Sequence, residues 1–462
     1  MKGRRPKAWK KAVVAISVAI TAIAVLVVVA IRHAGFAPAG DPLSNEAIAR
    51  RIQEHRTAEI TLTVTDVTGK PAPNASVTVR MNRHKFLFGC NAFALDQCGT
   101  PAMNRLYAER FTALMNYATL PFYWGLYEAQ EGRTDESRLR KMVEWCRQNR
   151  IDTKGHTLCW HILQPQWLMS KSPSEVESLQ IGRIRRECAA FAGLVDKWDV
   201  VNEAVDMPDA EGGNEGIPRM CRSLGQVELL KKCFAEANKT APAAELLLND
   251  YITDDRYHKL IKESLDAGVG IDAIGIQSHM HASHRSAEWA WECCERFGRI
   301  GKPLHFTELT ILSGNLKTDD DWMNYHPGWD STPEGEKRQA AQAVEFYRVL
   351  FSHPAVEAIT WWDFSDLNAW LGAPAGLLRK DMSPKPAYDA LMKLIKGDWW
   401  TGPLQLKTDA GGAVTFRGYL GTYTVTTDNG YADFDVSKPG REALTLRLKP
   451  GKSLATDARD DK

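Results

Sequence analysis

Two glutamates, Glu203 and Glu308, each close a short apolar run: Trp198-Asp199-Val200-Val201-Asn202-Glu203 and His305-Phe306-Thr307-Glu308. A pair of carboxyl groups facing one another across a cleft is what hydrolysis of a glycosidic bond requires. One, protonated, donates to the leaving oxygen; the other attacks the anomeric carbon if the two lie about 5 to 5.5 Å apart, or activates a water across a wider gap. Taken singly, a glutamate at a strand end is more often an ion-pair partner than a catalyst. The company these two keep argues for chemistry. His156, Trp160 and His161 follow one apolar run, Asn249 and Asp250 end another, Gln277 and His279 follow a third, and Trp362, Asp366 and Trp370 follow the last.

The elements that must position these residues are legible as a repeat. Eight apolar runs occur, at Lys85–Gly89, Tyr117–Leu120, Thr153–Leu158, Lys197–Val201, Glu245–Leu248, Ala273–Ile276, Leu304–Thr307 and Ala358–Trp361. Amphipathic windows such as Ser137–Asn149, Gln226–Ala237, Ser286–Phe297 and Glu336–Ser352 alternate with them, with apolar residues three or four apart. Eight strand–helix repeats predict an α/β fold closed into a (β/α)8 TIM barrel, in which functional groups project from the C-terminal strand ends. That is where the polar residues named above collect. No Gly-x-Gly-x-x-Gly or phosphate loop follows an early strand, which argues against a nucleotide site.

Outside the repeat the texture changes. Ala58 to Met81 and Leu404 to Leu448 are short alternating β-branched runs broken by Gly, Pro and Asp-Asn-Gly turns. The two pieces resemble the halves of a small prealbumin-like β-sandwich. The expectation is an accessory β-sandwich formed from N- and C-terminal segments, 58–83 and 401–450, with the barrel inserted over 84–400; chain ends that lie close together make such an insertion easy. Residues 36–57 are expected as a linker and 451–462 as a disordered polar tail.

Length and charge fit this organisation. A chain of 462 residues accommodates one barrel of about 250 to 320 residues and something smaller. With 58 basic against 57 acidic residues there is no field of one sign, so neither nucleic acid nor a polyanion is the expected partner. The 15 Trp and 12 Tyr exceed what a core requires and suit the flat faces of sugars. Nine cysteines show no metal-ligand spacing and are expected as buried thiols or one or two structural bridges. No metal or cofactor is expected. At the N-terminus Lys2, Arg4, Arg5, Lys7, Lys10 and Lys11 precede an apolar run from Ala12 to Ile31. That run is long enough to span a bilayer, so residues 1–35 are expected to be a basic cytoplasmic tail and membrane anchor that leaves the remainder extracytoplasmic; cleavage near Ala37-Pro38-Ala39 would secrete it instead.

The segments around the glutamates resemble the acid/base and nucleophile segments of glycoside hydrolase family 10. Lys154-Gly155-His156-Thr157-Leu158-Cys159-Trp160-His161 is similar to that family's third-strand signature, Asn249-Asp250-Tyr251 to its fifth, and Gly275-Ile276-Gln277-Ser278-His279 to its sixth. Trp362 to Trp370, Gly376-Leu377-Leu378 and Pro384-Lys385-Pro386-Ala387-Tyr388 match the eighth strand and closing helix, so the resemblance covers about residues 86 to 396. It implies a retaining endo-β-1,4-xylanase-like enzyme acting on a polysaccharide, with Glu203 as acid/base and Glu308 as nucleophile. By the same match Asn202 holds the 2-hydroxyl of the sugar at the cleavage point, and His156, Trp160, His161 and Gln277 line that subsite. His279 orients Glu308, and Trp362 and Trp370 form an aromatic floor and wall.

The chain departs from the family in places. Thr119, Leu120 and Tyr123 stand where the family offers Glu, Asn and Lys to the next sugar, which puts Tyr123 in the substrate site. Lost contacts of this kind cost about 1 to 3 kcal/mol each where sugar hydroxyls stay unpaired. Leu163 stands for Gln, and Thr310 replaces the acidic residue two positions beyond the nucleophile. Asp363, where the family has Gly, is then the candidate anionic partner of His279. These departures motivate the alternative of a catalytically weak or inactive surface glycan-binding protein; survival of both glutamates argues for turnover.

Overall fold

A computed structural model describes residues 40–210 and 216–451 of the chain. The chain divides into two compact units, Met1–Ile48 and Ala49–Lys462. Of the first, the described part is a turn and the opening of the helix Asn45–Arg56. The stretch expected as a linker therefore contains a helix.

The second unit opens with the rest of that helix and continues into β1 (Thr57–Thr65) and β2 (Ser76–His84). Their alternating pattern puts Ala58, Ile60, Leu62 and Val64, and Val77, Val79 and Met81, into one apolar core. The chain then enters β3 (Leu87–Asn91), β4 (Tyr117–Pro121), β5 (Asp152–Cys159), β6 (Lys197–Asn202), β7 (Glu245–Asp250), β8 (Ala273–Ile276), the two-residue β9 (His279–Met280), β10 (Leu304–Ile311) and β11 (Val356–Trp361). Strands β3 to β8 are hydrogen-bonded in sequence order, with β10 beside β8 and β11 beside β3. Parallel pairing of β10 with β11 closes the ring into an eight-stranded barrel. These strands are buried along almost their whole length, as expected where side chains fill the barrel on one face and helices cover the other.

Beyond the barrel come β12 (Leu404–Lys407), β13 (Ala413–Tyr419), β14 (Gly421–Thr427), β15 (Gly430–Val436) and β16 (Gly440–Arg447). They interleave with the first two strands. One sheet runs β13-β1-β16 and the other β12-β2-β14-β15, so each contains one N-terminal strand flanked by C-terminal ones. Val414, Phe416, Tyr423, Val425, Phe434 and Val436 complete the core that β1 and β2 begin. The accessory β-sandwich is thus built from both ends of the barrel. Tyr419 of β13 meets Phe351, with ring centroids 6.4 Å apart, and so touches the long helix Pro333–Ser352.

Two expectations need correction or choice. Among the described residues no helix is long and apolar enough to cross a membrane. The longest, Pro333–Ser352, carries Glu334, Glu336, Lys337, Arg338 and Arg348 and has one buried face, the pattern of a helix packed on a protein core rather than one surrounded by lipid. The membrane anchor, the membrane partner and the extracytoplasmic location inferred from it are therefore withdrawn; the Ala12–Ile31 run itself, like the polar tail, lies outside the described residues. All nine cysteines are buried free thiols, so of the two states expected for them the thiol is the one adopted.

Candidate active site

Glu203 follows directly on the end of β6, with its backbone in the left-handed region at φ 55°. A side chain longer than Gly pays for that conformation, and such residues gather at functional sites. It is held there by its N–H, which donates to the Asn249 carbonyl at 2.8 Å. Its carboxylate is fully engaged: Trp160 Nε1 donates to Oε2 at 2.8 Å, and Gln277 Nε2 and Asn202 Nδ2 approach Oε1 at 3.0 and 3.4 Å.

Glu308 lies within β10, across the same mouth. Asn249 Nδ2 donates to its Oε1 at 2.8 Å, and His279 Nε2 is 3.1 Å from its Oε2. The two carboxyls are joined through amides, because Asn249 Nδ2 also reaches Asn202 Oδ1 at 2.7 Å and Gln277 Nε2 lies 3.3 Å from the same oxygen. Asn249 is oriented by Thr307, whose hydroxyl donates to its Oδ1 at 2.6 Å. Gly275 makes room for it: a Cβ there would come within 2.4 Å of Asn249 Oδ1. The network thus depends on a small residue in β8 as much as on the polar ones.

The environments of the two glutamates differ in sign. Burial pushes the Glu203 carboxyl up to about 7, against the hydrogen bonds from Gln277 and Trp160, and the charge of Glu308 pushes it the same way. Burial acts on Glu308 too, but there the positive charge on the His156 side, the hydrogen bond from His279 and the charge of Lys154 prevail and hold it below the ordinary carboxylate value. Beneath it Lys154 Nζ and His156 Nδ1 both contact Asp199 Oδ2 at 2.7 Å, a fully buried cluster. Two carboxyls with separated proton affinities can divide the work of acid and nucleophile.

The other expected residues assemble around this pair. Trp362 packs edge-on against His156 and His279, with centroids 5.6 and 5.9 Å away, and against Phe93 at 5.3 Å. Trp370 lies 4.9 Å from His279. Tyr123 sits between His156 and Trp160 at 5.3 and 5.6 Å. His161 stands beside Trp160, 6.3 Å between rings, and burial lowers it to about 4; its Nδ1 has no hydrogen-bond partner among the described residues.

One assignment fails. Asp363 does not partner His279: its carboxylate accepts from the Trp370 N–H at 3.0 Å and from Asn91 at 3.4 Å. Thr310 fills the role instead, its hydroxyl 2.9 Å from His279 Nδ1. The short pairing of β9 with β10 sets Thr310 level with His279, so the side chain that replaces the acid is already in place. Asn249, read from the sequence as a polar strand end without a stated role, bridges Asn202 and Glu308. Its register opposite Asn202 is the signal that two strand-end amides share one level.

Burial raises the proton affinity of four of the described carboxyls: Glu203 to about 7, Asp250 to about 8, Asp363 to about 7, and Asp366 as well, against the charge of Lys385. Each stands above its ordinary value, so between those values the folded chain binds more protons than the unfolded one. Stability from these groups is complete below about pH 4 and is lost as pH rises through 7 to 8. The melting temperature is expected to fall between pH 5 and pH 8.5, and Asp250→Asn to flatten that fall. Thermal melts of both proteins across the range measure it; parallel curves would refute it.

Known proteins resemble this chain in sequence and in fold. The family model described as Glycosyl hydrolase family 10 matches residues 82–394. Endo-1,4-beta-xylanase A of Caldicellulosiruptor sp. strain Rt8B.4 is 30% identical over 57% of this chain and 40% of its own length. The anti-sigma-I factor RsgI6 of Acetivibrio thermocellus is 26% identical over 87% of this chain and 48% of its own. The chain therefore spans less than half the length of either relative. In fold it is similar to xylanase 10B from Thermotoga maritima, with a TM-score of 0.58 and 24% identity over 68% of this chain and 96% of that one.

Proposed function

Because the chain belongs to glycosyl hydrolase family 10, we propose that it is a retaining glycoside hydrolase that cuts internal β-1,4 linkages of xylan or a related β-glycan by double displacement. The relatives named as endo-1,4-beta-xylanases direct the choice of substrate. The reading is carried by the opposite tuning of two carboxyls in one barrel mouth, Glu203 raised to about 7 and Glu308 lowered.

In the first step Glu308, as carboxylate, attacks the anomeric carbon while Glu203 gives its proton to the glycosidic oxygen, and the chain beyond the cut departs. Glu308 is then an ester and carries no charge. One of the influences that raised Glu203 is gone, so its proton affinity falls and it is suited to take a proton from the incoming water. Water attacks the same carbon from the side the leaving group left, which restores the β configuration. His279, fixed by Thr310, supports Glu308; Asn202 serves the 2-hydroxyl; His156, Trp160, His161 and Gln277 line the subsite, with Tyr123, Trp362 and Trp370 as its apolar walls.

Hydrolysis of β-1,4-xylan followed by proton NMR tests this. Short oligosaccharides whose new reducing ends appear first as the β anomer are the expected result. First appearance of the α anomer, or tight binding of xylan with no release of sugar, would overturn it.

A further inference from the structure

The connection from β10 to the helix Pro333–Ser352, residues 312–332, is long and carries aromatic side chains that the double displacement does not use. Among the described residues seven large hydrophobic side chains are exposed, and four of them lie in or against this connection: Trp322 at 40%, Met323 at 66%, Tyr325 at 61% and Trp370 at 36%. An exposed cluster of this kind beside a cleft is a binding feature before it is anything else.

The cluster is continuous with the catalytic pair. Trp370 abuts His279 at 4.9 Å, and His279 contacts Glu308. Trp322 lies 6.2 Å from Trp370, tilted by 32°, and His281 fills the angle between them at 6.1 and 4.9 Å. Trp322 is backed by Lys317, whose Nζ is 5.1 Å from the ring centre and which is itself buried and paired with Asp319.

The connection is also held in one shape. Asp321 accepts from the N–H groups of Met323 and Asn324 at 3.0 Å each. The His326 N–H donates to the Leu371 carbonyl at 2.8 Å, and Trp329 Nε1 to the Asn315 carbonyl at 2.8 Å. Tyr325 rests on Gly372, where a Cβ would come within 2.5 Å of the Tyr325 ring and the backbone has φ +71°. Rings fixed in advance lose little freedom when a ligand settles on them.

We propose that Trp322, flanked by Tyr325 and Trp370, is a stacking platform for a further sugar ring of the polysaccharide, outside the ring at the cleavage point. The inference rests on the hydrolase reading above. A sugar is the occupant that fits: its axial hydrogens form a flat apolar face, while its hydroxyls stay in water at the rim. The platform also answers a loss elsewhere in the cleft. The family's hydrogen-bonding side chains on the second barrel strand are Thr119, Leu120 and Tyr123 here, and Thr119 and Leu120 are fully buried. Binding that is not made there by hydrogen bonds is made at this rim by apolar contact.

The test compares the full-length wild type with Trp322→Ala and Trp322→Phe, each checked by thermal melting. For Trp322→Ala the ratio of kcat/KM on soluble xylan to that on an aryl β-xyloside is expected to fall about tenfold, mainly through KM on the polymer. Retardation of the protein in gels containing xylan should fall with it, and Trp322→Phe should recover most of both. An unchanged ratio and unchanged retardation in a folded Trp322→Ala protein would overturn the platform while leaving the hydrolase reading intact. Should Trp322→Ala not fold, Tyr325→Ala, which removes a more exposed flank of the platform, must lower the same ratio and retardation or the proposal falls. A wild type that cleaves no polysaccharide overturns the hydrolase reading, and if xylan does not retard it either, the platform falls as well.

Discussion

Glu308→Ala is expected to lower hydrolysis of xylan by about five orders of magnitude, because it removes the atom that forms the covalent bond. Substrate binding should change little, since the residues that line the subsite are untouched. The decisive readout is chemical. Alanine leaves a space below the anomeric carbon, where a small anion can enter. With an aryl β-glycoside bearing a good leaving group, added azide should restore turnover and yield a glycosyl azide of α configuration. Azide enters from the face Glu308 occupied, and Glu203 is still present to assist departure. The acid limb of the wild-type profile has the same origin: Glu308 must be ionised, and His156, His279 and Lys154 keep it so below the ordinary carboxylate range against the effect of burial. If Glu308→Ala retained a tenth of wild-type activity without azide, the covalent route would be untenable.

How far the molecule could be read from its sequence depended on whether a local pattern reported a local cause. Barrel strands are short apolar runs because both faces are covered, and Ala273–Ile276 coincides with β8 for that reason. Leu304–Thr307 stops short of the true end of β10 at Ile311, since Glu308 and Thr310 interrupt the apolar pattern while remaining buried. The sandwich strands were visible from their alternation, but not their pairing: β16 runs parallel to β1 at the opposite end of the chain, and no sequence rule joins strands so distant. Glu203 and Glu308 were legible through their flanking motifs. The partner of His279 was not, because β9 has only two residues and its register with β10 leaves no periodic trace. The aromatic connection after β10 has no repeat either. Its shape comes from Asp321 bonding within the connection and from His326 and Tyr325 meeting Leu371 and Gly372, contacts that a search for helix and strand periods passes over.

Glu203→Ala should behave in the opposite manner, and the contrast between the two variants carries the assignment of roles. Glu203 contributes a proton, and loss of a general acid costs about 100- to 10,000-fold on a substrate whose leaving group is an unactivated sugar. On an aryl glycoside that leaves without protonation the first step survives, so the glycosyl ester on Glu308 forms but its hydrolysis lacks a base. A burst of released phenol, equal to the enzyme present, is expected, followed by slow turnover. Azide attacks that ester without needing a base, and the product is then a β-glycosyl azide, because the configuration has been inverted twice. The pH profile gives a second handle. With the Glu203 carboxyl pushed up to about 7, kcat/KM of the wild type falls as pH rises past that value, where the free enzyme loses its acidic proton. Glu203→Ala should lack that alkaline limb and keep the acid limb set by Glu308. If the limb near pH 7 persisted in Glu203→Ala, the proton donor would be another group, and Asp250, raised by burial to about 8, would be the first to replace with Asn.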